Sequence, residues 1–291
     1  MRHASVSIII PNRNSKTIDK TLASLFTQTA FDQIEEILVV GMDEPGLVIE
    51  RGPLRFLSTQ VPVTAPVARN IGIQQARGTK FVFIDADCIA EPEWLAALLN
   101  AQDAGHQVVG GSVSFEGSNY WQLCYSLTMF HEFLPTAAPG QRQNLGSLNL
   151  FVSRQVVELT GLFDESLVRC QDTEWTLRMR QNGYTLYFDP KAVVRHLPQG
   201  KGLSQILKLW YRSGFFSGQV RQRYRKLIAP PPFYNTPLLL ALLSPVIGII
   251  VTTRIFFRNP RLFRYIHTMP VVFLTKMAWC LGTSRQSLDS H

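Results

Sequence analysis

Two carboxylates one residue apart, Asp85 and Asp87, close the apolar run Phe81-Val82-Phe83-Ile84. Acids leaving a strand end together are placed to share a hard divalent cation, and magnesium or manganese takes such oxygen ligands. Triplets of this kind also occur in surface turns that bind nothing. A third acid, Asp172, opens a helical pattern that runs from Gln171-Asp172-Thr173-Glu174-Trp175 through Leu177 and Met179 to Gly183. Two roles suit it there: helix N-cap, or general base towards a hydroxyl. His196, after Ala192-Val193-Val194, is a candidate further metal ligand or phosphate contact, although a single histidine also serves structure alone. Upstream of the acid pair lies Ala68-Arg69-Asn70-Ile71-Gly72. Arg69 can grip a phosphate through two donors and Gly72 allows close approach. The same stretch also reads as an amphipathic helix with an exposed Arg69 and a glycine cap at Gly78.

These residues need a scaffold that gathers them. Val6–Ile10, Ile37–Val40, Phe81–Ile84 and Val108–Val109 are short β-branched or aromatic runs that predict buried strands. Ile18, Leu22, Leu25 and Phe26, and later Trp94, Leu95, Leu98 and Leu99, repeat at helical spacing between them. Alternation of this kind implies an α/β fold, a Rossmann-like mixed and mainly parallel sheet with helices on both faces. Ligands then bind beyond the carboxyl ends of the strands. Four sets of polar residues follow the four runs: Asn12-Arg13-Asn14, Asp43-Glu44, Asp85-Ala86-Asp87 and Ser112. One cleft is expected to collect them.

Charge divides the chain. Residues 1–190 carry 14 Lys/Arg against 20 Asp/Glu, whereas residues 191–291 carry 15 against 1. Long apolar runs interleave with the basic part, which favours anionic lipid over nucleic acid as its partner. Leu203, Ile206, Leu207, Trp210 and Gly214 share one helical face with Lys208 and Arg212 off it, the pattern of an interfacial helix, although a helix packed on the protein has the same periodicity. Phe233 to Thr253 is uncharged and long enough to span a bilayer of ~30 Å, with Pro245 and Gly248 at its centre. Met269 to Gly282 is apolar but split by Lys276. Arginines flank the long stretch on both sides, which favours a re-entrant hairpin over two full spans. Cys88, Cys124, Cys170 and Cys280 form no CxxC pair, so neither zinc nor a disulfide framework is indicated. No secretory signal opens the chain, and the first 200 residues are expected in the cytosol.

Taken in order, these motifs resemble the family-2 glycosyltransferases with the A-type nucleotide-sugar-binding fold, of the exopolysaccharide and glycolipid kind, over roughly residues 5–200. Val6-Ser7-Ile8-Ile9-Ile10-Pro11 resembles the opening strand, Ala68-Arg69-Asn70-Ile71-Gly72 the Arg-Asn helix, and Phe83-Ile84-Asp85-Ala86-Asp87 the metal-binding triplet. Gly161-Leu162-Phe163-Asp164-Glu165 followed by Gln171-Asp172 is similar to the family's Gly-x-Phe-Asp-Glu and Glu-Asp pair, and Gly183-Tyr184 and Val193-Val194-Arg195-His196 to the segments beyond. The resemblance implies that Pro11, Asn12, Arg13, Asn14, Asp43, Arg69, Asn70 and Asp85 bind the nucleotide sugar. It also implies that Asp85, Asp87 and His196 hold magnesium or manganese and that Asp172 is the base. Two departures stand out: Gly41-Met42 where the family has aspartates, and Gln171 where it has glutamate. In place of the Gln-x-x-Arg-Trp of processive synthases there is only Gln205-Ile206-Leu207-Lys208-Leu209-Trp210, implying a single transfer.

The expected organisation is a catalytic domain over 1–200, a basic interfacial helix region over 201–230 and membrane-associated helices over 231–291. The expected activity is inverting transfer from a UDP-sugar to a lipid-linked or glycan acceptor at the cytoplasmic face of the inner membrane. A membrane-bound binding or scaffold protein on a degenerate transferase fold is the alternative. A nucleotidyltransferase would need an early Gly-rich triphosphate loop, which Pro11-Asn12-Arg13-Asn14 is not.

Overall fold

A computed structural model describes residues 5–115, 119–197 and 202–289. Of the boundary expected around Leu197 to Gly202, residues 198–201 lie outside the described residues. The chain divides into two compact units, Met1–Ser114 with Phe133–Leu197, and Phe115–Glu132 with Pro198–His291.

The first unit is built on one sheet. Its elements are β1 (Val6–Arg13), α1 (Ile18–Leu25), β2 (Ile34–Met42), β3 (Leu54–Ser58), α2 (Ala65–Gln75), β4 (Lys80–Ile84), β5 (Cys88–Ala90), α3 (Trp94–Asp103) and β6 (Val108–Phe115). The second unit contributes α4 (Tyr120–Phe130), after which the sheet unit resumes with β7 (Gly140–Gln141), β8 (Asn149–Ser153), α5 (Arg154–Thr160), α6 (Gln171–Gln181) and β9 (Leu186–His196). The strand order is β3-β2-β1-β4-β8-β6-β9-β5, with β7 on β9. From β3 to β4 all pairings are parallel, while β8 runs antiparallel to both β4 and β6.

This is the mixed, mainly parallel sheet that the strand-helix alternation implies. Ile8, Ile9 and Ile10 are all fully buried, so β1 is covered on both faces, as a parallel strand must be. Ile9, Phe81 and Phe83 pack on one side with Ile73, Trp175 and Met179, which seats α2 and α6 there. Pro66 in its first turn gives α2 a pre-set start.

The strands overrun their predicted ends. Asn12 and Arg13 belong to β1, and Gly41 and Met42 to β2. Ser112, expected beyond the fourth strand, lies inside β6, fully buried, and its hydroxyl donates to the Pro190 carbonyl at 2.8 Å. A hydroxyl spent on the neighbouring backbone is a structural bond, and Ser112 takes no part in a cleft. Gly78 caps no helix, because α2 stops at Gln75. A Cβ on Gly78 would stand 2.6 Å from the Ser5 carbonyl oxygen, so glycine is needed where this loop crosses the start of β1.

The second unit is helical: α4, α7 (Leu203–Arg223), α8 (Arg225–Ile228), α9 (Pro237–Arg258) and α10 (Met269–Asp289). Here α9 is the one helix among the described residues long and apolar enough to cross a membrane. It runs on through Pro245 and Gly248 without interruption. The apolar face of α7, expected at a membrane interface, is covered within the unit: Ile206 packs with Cys124, Tyr125 and Val271, and Leu203 and Trp210 lie against that cluster. Glycines at a four-residue spacing, Gly214 and Gly218, let α7 approach α10 closely. A Cβ on Gly214 would fall 2.0 Å from the Trp279 carbonyl, and one on Gly282 would fall 1.9 Å from that of Tyr211.

Candidate active site

Asp85-Ala86-Asp87 is the turn between β4 and β5, closed by the Cys88 N–H donating to the Asp85 carbonyl at 3.1 Å. Antiparallel pairing of β5 with the end of β9 sets Cys88 opposite His196, and the Leu197 N–H donates to the Asp87 carbonyl at 2.8 Å. That register brings His196 Nε2 to 3.7 Å from Asp87 Oδ2. From the other side the Ser15 and Thr17 hydroxyls donate to the Ala86 carbonyl at 2.9 and 3.3 Å. The turn is thus pinned by strand pairing and by the β1–α1 loop. Burial, then Asp87, then Asp85 push the Cys88 thiol well above its usual range, so a neutral thiol sits behind the two carboxylates.

Of the two readings of Arg69, the exposed residue of an amphipathic helix does not hold. Arg69 is 2% exposed, and its Nη2 meets Asp85 Oδ1 at 2.6 Å. The guanidinium also lies 5.7 Å from the centre of the Phe163 ring. One prong therefore orients Asp85, whose side chain keeps 36% of its surface exposed. Nε and Nη1 of Arg69 are buried without hydrogen-bond partners among the described residues.

Asn70, the neighbour of Arg69, is tied to a loop. Its amide donates to the Phe163 carbonyl at 3.0 Å and to Glu165 Oε1 at 2.8 Å, and accepts from the Phe163 N–H at 2.9 Å. The Gly161-Leu162-Phe163-Asp164-Glu165 segment is thereby fastened to α2, and the Phe163 ring packs tilted against Trp175 of α6 with ring centroids 4.0 Å apart.

Asp172 lies in the first turn of α6, which Cys170 enters in a left-handed conformation, φ 60°. Its Oδ1 accepts from the Thr173 N–H at 2.8 Å and its Oδ2 from the Ser147 N–H at 3.4 Å. Ser147 stands two residues before β8, whose first residue, Asn149, pairs with Ile84 at the end of β4. The strand pairing that delivers Asp85 therefore also delivers the turn that holds Asp172. Both acids belong to the same sheet edge.

The β1 and β2 ends leave the sheet on the same side as the end of β4, because the three strands are parallel. The Asn12 amide donates to the Met42 carbonyl at 2.9 Å and accepts from the Ser15 N–H at 3.1 Å. Asn14, at φ 56°, accepts from the Glu44 N–H at 2.8 Å. Pro11 is half-buried and Arg13 exposed. Asp43 Oδ2 accepts from the Val48 N–H at 2.7 Å, while Oδ1 is buried without a hydrogen-bond partner among the described residues. The departure at Gly41 has a steric cause: its φ is +134°, and a Cβ there would fall 1.9 Å from the Asn12 carbonyl oxygen. No aspartate can occupy that position, and the nearest acid is Asp43, two residues on.

Several positioning residues escaped the sequence reading. Ser15 and Thr17 pin the triplet, and Gly146-Ser147 cradles Asp172, where a Cβ on Gly146 would lie 3.7 Å from Oδ2. Ser15 was one step beyond the string already singled out. Nothing local marks Gly146-Ser147.

Two carboxylates with an imidazole beside one of them suit magnesium or manganese, which commonly uses one or two protein carboxylates and takes its other ligands from phosphate and water. No group of three His, Cys, Asp or Glu side chains able to hold an ion by itself stands among the described residues. The donor set therefore fits a cation shared with a diphosphate.

Comparison with known proteins gives three findings. The sequence profile described as "Glycosyl transferase family 2" matches residues 7–150. Glycosyltransferase AglE of Haloferax volcanii is 30% identical over 226 residues, 74% of this chain and 73% of AglE. Among solved structures, one of GalNAc-T7 with UDP, GalNAc and Mn2+ is similar at TM-score 0.55 and 16% identity, covering 79% of this chain and 52% of that one. One of S. aureus TarS is similar at TM-score 0.53 and 15% identity, covering 77% and 44%. The chain spans about half the length of these two structures, and at such identity the likeness concerns the fold.

Proposed function

The chain belongs to the family-2 glycosyltransferases, and from that premise we propose that it moves a sugar from a UDP-sugar to a hydroxyl of a membrane-linked glycan or lipid, with inversion and one transfer per acceptor. What supports this reading is that the β5–β9 register sets His196 beside Asp87, while the β4–β8 register sets the start of β8, two residues after the Ser147 that donates to Asp172, opposite the end of β4.

In this reading the wall formed by Asn12, Asn14 and Asp43 receives the nucleotide. The unpartnered Oδ1 of Asp43 is an acceptor for an N–H on the base edge. Pro11 and Arg13 border that wall. Asp85 and Asp87 would hold magnesium or manganese, with His196 beside Asp87 as a further contact, and Arg69 keeps Asp85 aimed. Such a cation, when bound, neutralises charge that develops on the departing diphosphate. Asn70 fastens the loop that carries Phe163. Asp172 keeps free lone pairs beside its two backbone donors. It accepts the acceptor proton as the acceptor oxygen bonds to the anomeric carbon and the bond to the diphosphate oxygen breaks. A single displacement of this kind inverts the centre and needs no covalent sugar-enzyme intermediate.

Catalysis is assigned to the sheet unit and membrane attachment to the helical unit, with the catalytic domain in the cytosol. Anchoring raises the enzyme's effective concentration beside a lipid-held acceptor. The test is a screen of nucleotide sugars for slow hydrolysis with and without manganese. Release of UDP from one UDP-sugar, dependent on the cation, is expected. No hydrolysis of any sugar nucleotide would favour the scaffold alternative.

A further inference from the structure

Resting on the membrane attachment proposed above, we infer that the chain binds its lipid surface in plane, through the outer face of α9, and does not cross the bilayer. The outward side chains of α9 are Leu238 and Leu242 (both 76% exposed), Val246, Ile249, Ile250 and Phe257 (70%). Their spacing of three, four and seven residues puts them on one face. The opposite face, with Leu240, Ser244, Gly248, Thr252 and Phe256, is buried. By length alone α9 could cross: its 22 residues span ~33 Å, against a hydrocarbon core of ~30 Å.

Its neighbours decide against crossing. A Cβ on Gly248 would touch Phe273 and Met277, and the Ser284 hydroxyl donates to the Pro237 carbonyl at 2.6 Å. Thus α10 lies antiparallel along α9. On α10 the residues that meet α7 include Val271, Trp279, Gly282, Thr283 and Gln286, with Lys276 Nζ 4.5 Å from the centre of the Trp210 ring. Met277 and Trp279 are two residues apart, about 200° around a helix, so α9 and α7 flank α10 on opposite sides. The levels also correspond. The middle of α9, at Gly248, is level with Phe273 to Met277, and that stretch is level with Trp210 through Lys276. Lys208 and Arg212, both exposed, bracket Trp210.

A transbilayer α9 would therefore hold Lys208 and Arg212 near mid-membrane, facing lipid, where charges are costly and rare. Laid in plane, the same helices order themselves by polarity: apolar α9 against lipid, α10 behind it, charged α7 towards water. The flanks complete the match. Arg254, Arg258, Arg261 and Arg264 are exposed beside Phe257, Phe263 and Ile266, a mixture that suits anionic headgroups over a shallow apolar layer.

The experiment uses the full chain with Cys170→Ser, the other three cysteines being buried, and spin labels at Leu238→Cys, Val246→Cys or Phe257→Cys. The probe is a vesicle of phosphatidylcholine with phosphatidylglycerol. The chain is expected to float with these vesicles, and all three labels to report one shallow depth of ~5–10 Å. Leu242→Glu with Ile249→Glu should lower partition roughly 10-fold or more and leave UDP-sugar hydrolysis unchanged. A profile with Val246 near the bilayer centre, ~15 Å deep, and both ends shallow would overturn the in-plane placement while leaving membrane attachment standing. Labels that approach one another in pairs and see no lipid would assign this face to a second copy of the chain. Failure to float with any vesicle would remove the membrane reading itself, whereas the transferase reading stands or falls separately on hydrolysis.

Discussion

The sheet edge of the first unit and the helix stack of the second are both built from close backbone approaches, but the two disclose themselves differently. At the sheet edge each functional group arrives in a short contiguous string, because a strand end exposes adjacent residues together. In the helix stack the apolar periodicity of α7 and α9 shows that each helix has a face, and leaves open what covers it. For α7 the cover is α10 and α4; for α9 the outward face is bare. The discriminating signal is the pair Gly214 and Gly218, since small residues four apart mark a face against which another helix must lie.

This contrast can be broken by variants that should affect one region and spare the other. The largest expected effect is on turnover: Asp172→Asn loses about 10²-fold or more, the scale of a general base. UDP affinity and melting temperature should be unchanged, because asparagine retains an oxygen for the Thr173 N–H. Unchanged turnover would remove Asp172 from the chemistry. Next, Gly214→Leu forces α7 from α10 at the Trp279 carbonyl and should cost about 2–3 kcal/mol by overpacking. Guanidinium melts followed by tryptophan emission would measure the cost, and manganese-dependent UDP affinity at low denaturant should not move. A comparable loss of affinity would mean that the two regions are not separable. Smaller again, Asn70→Ala removes three hydrogen bonds from the Phe163 loop and should cost about 2 kcal/mol, read as a lowered denaturation midpoint. A drop in UDP affinity without a stability change would instead make Asn70 a direct ligand contact.

Much of the site was legible because the chemistry is carried by residue type at short range. Asp85-Ala86-Asp87 after an apolar strand, and Asp172 at a helix start, both stand where their neighbours in sequence indicate. What was not legible depends on partners far along the chain. Burial of Arg69 follows from Asp85 and Phe163, 16 and 94 positions away. Ser112 became structural because β9 passes beside it and offers the Pro190 carbonyl. Gly41 looked like a lost binding residue, and its cause is the Asn12 carbonyl of the neighbouring strand. The fold class itself follows from strand-helix alternation; the antiparallel pairings of β8 with β4 and β6, and of β5 with β9, do not, since strand direction is set by the length and course of the connections.

The carboxylates at the end of β4 are proposed to bind a cation together with a diphosphate. Isothermal titration of UDP into the protein, with and without manganese, for the native chain and for Asp87→Ala, tests it most directly. Binding should require manganese in the native chain and be lost in Asp87→Ala while the fold persists by circular dichroism. Equal UDP affinity with and without the cation, or an undiminished manganese effect in Asp87→Ala, would contradict it.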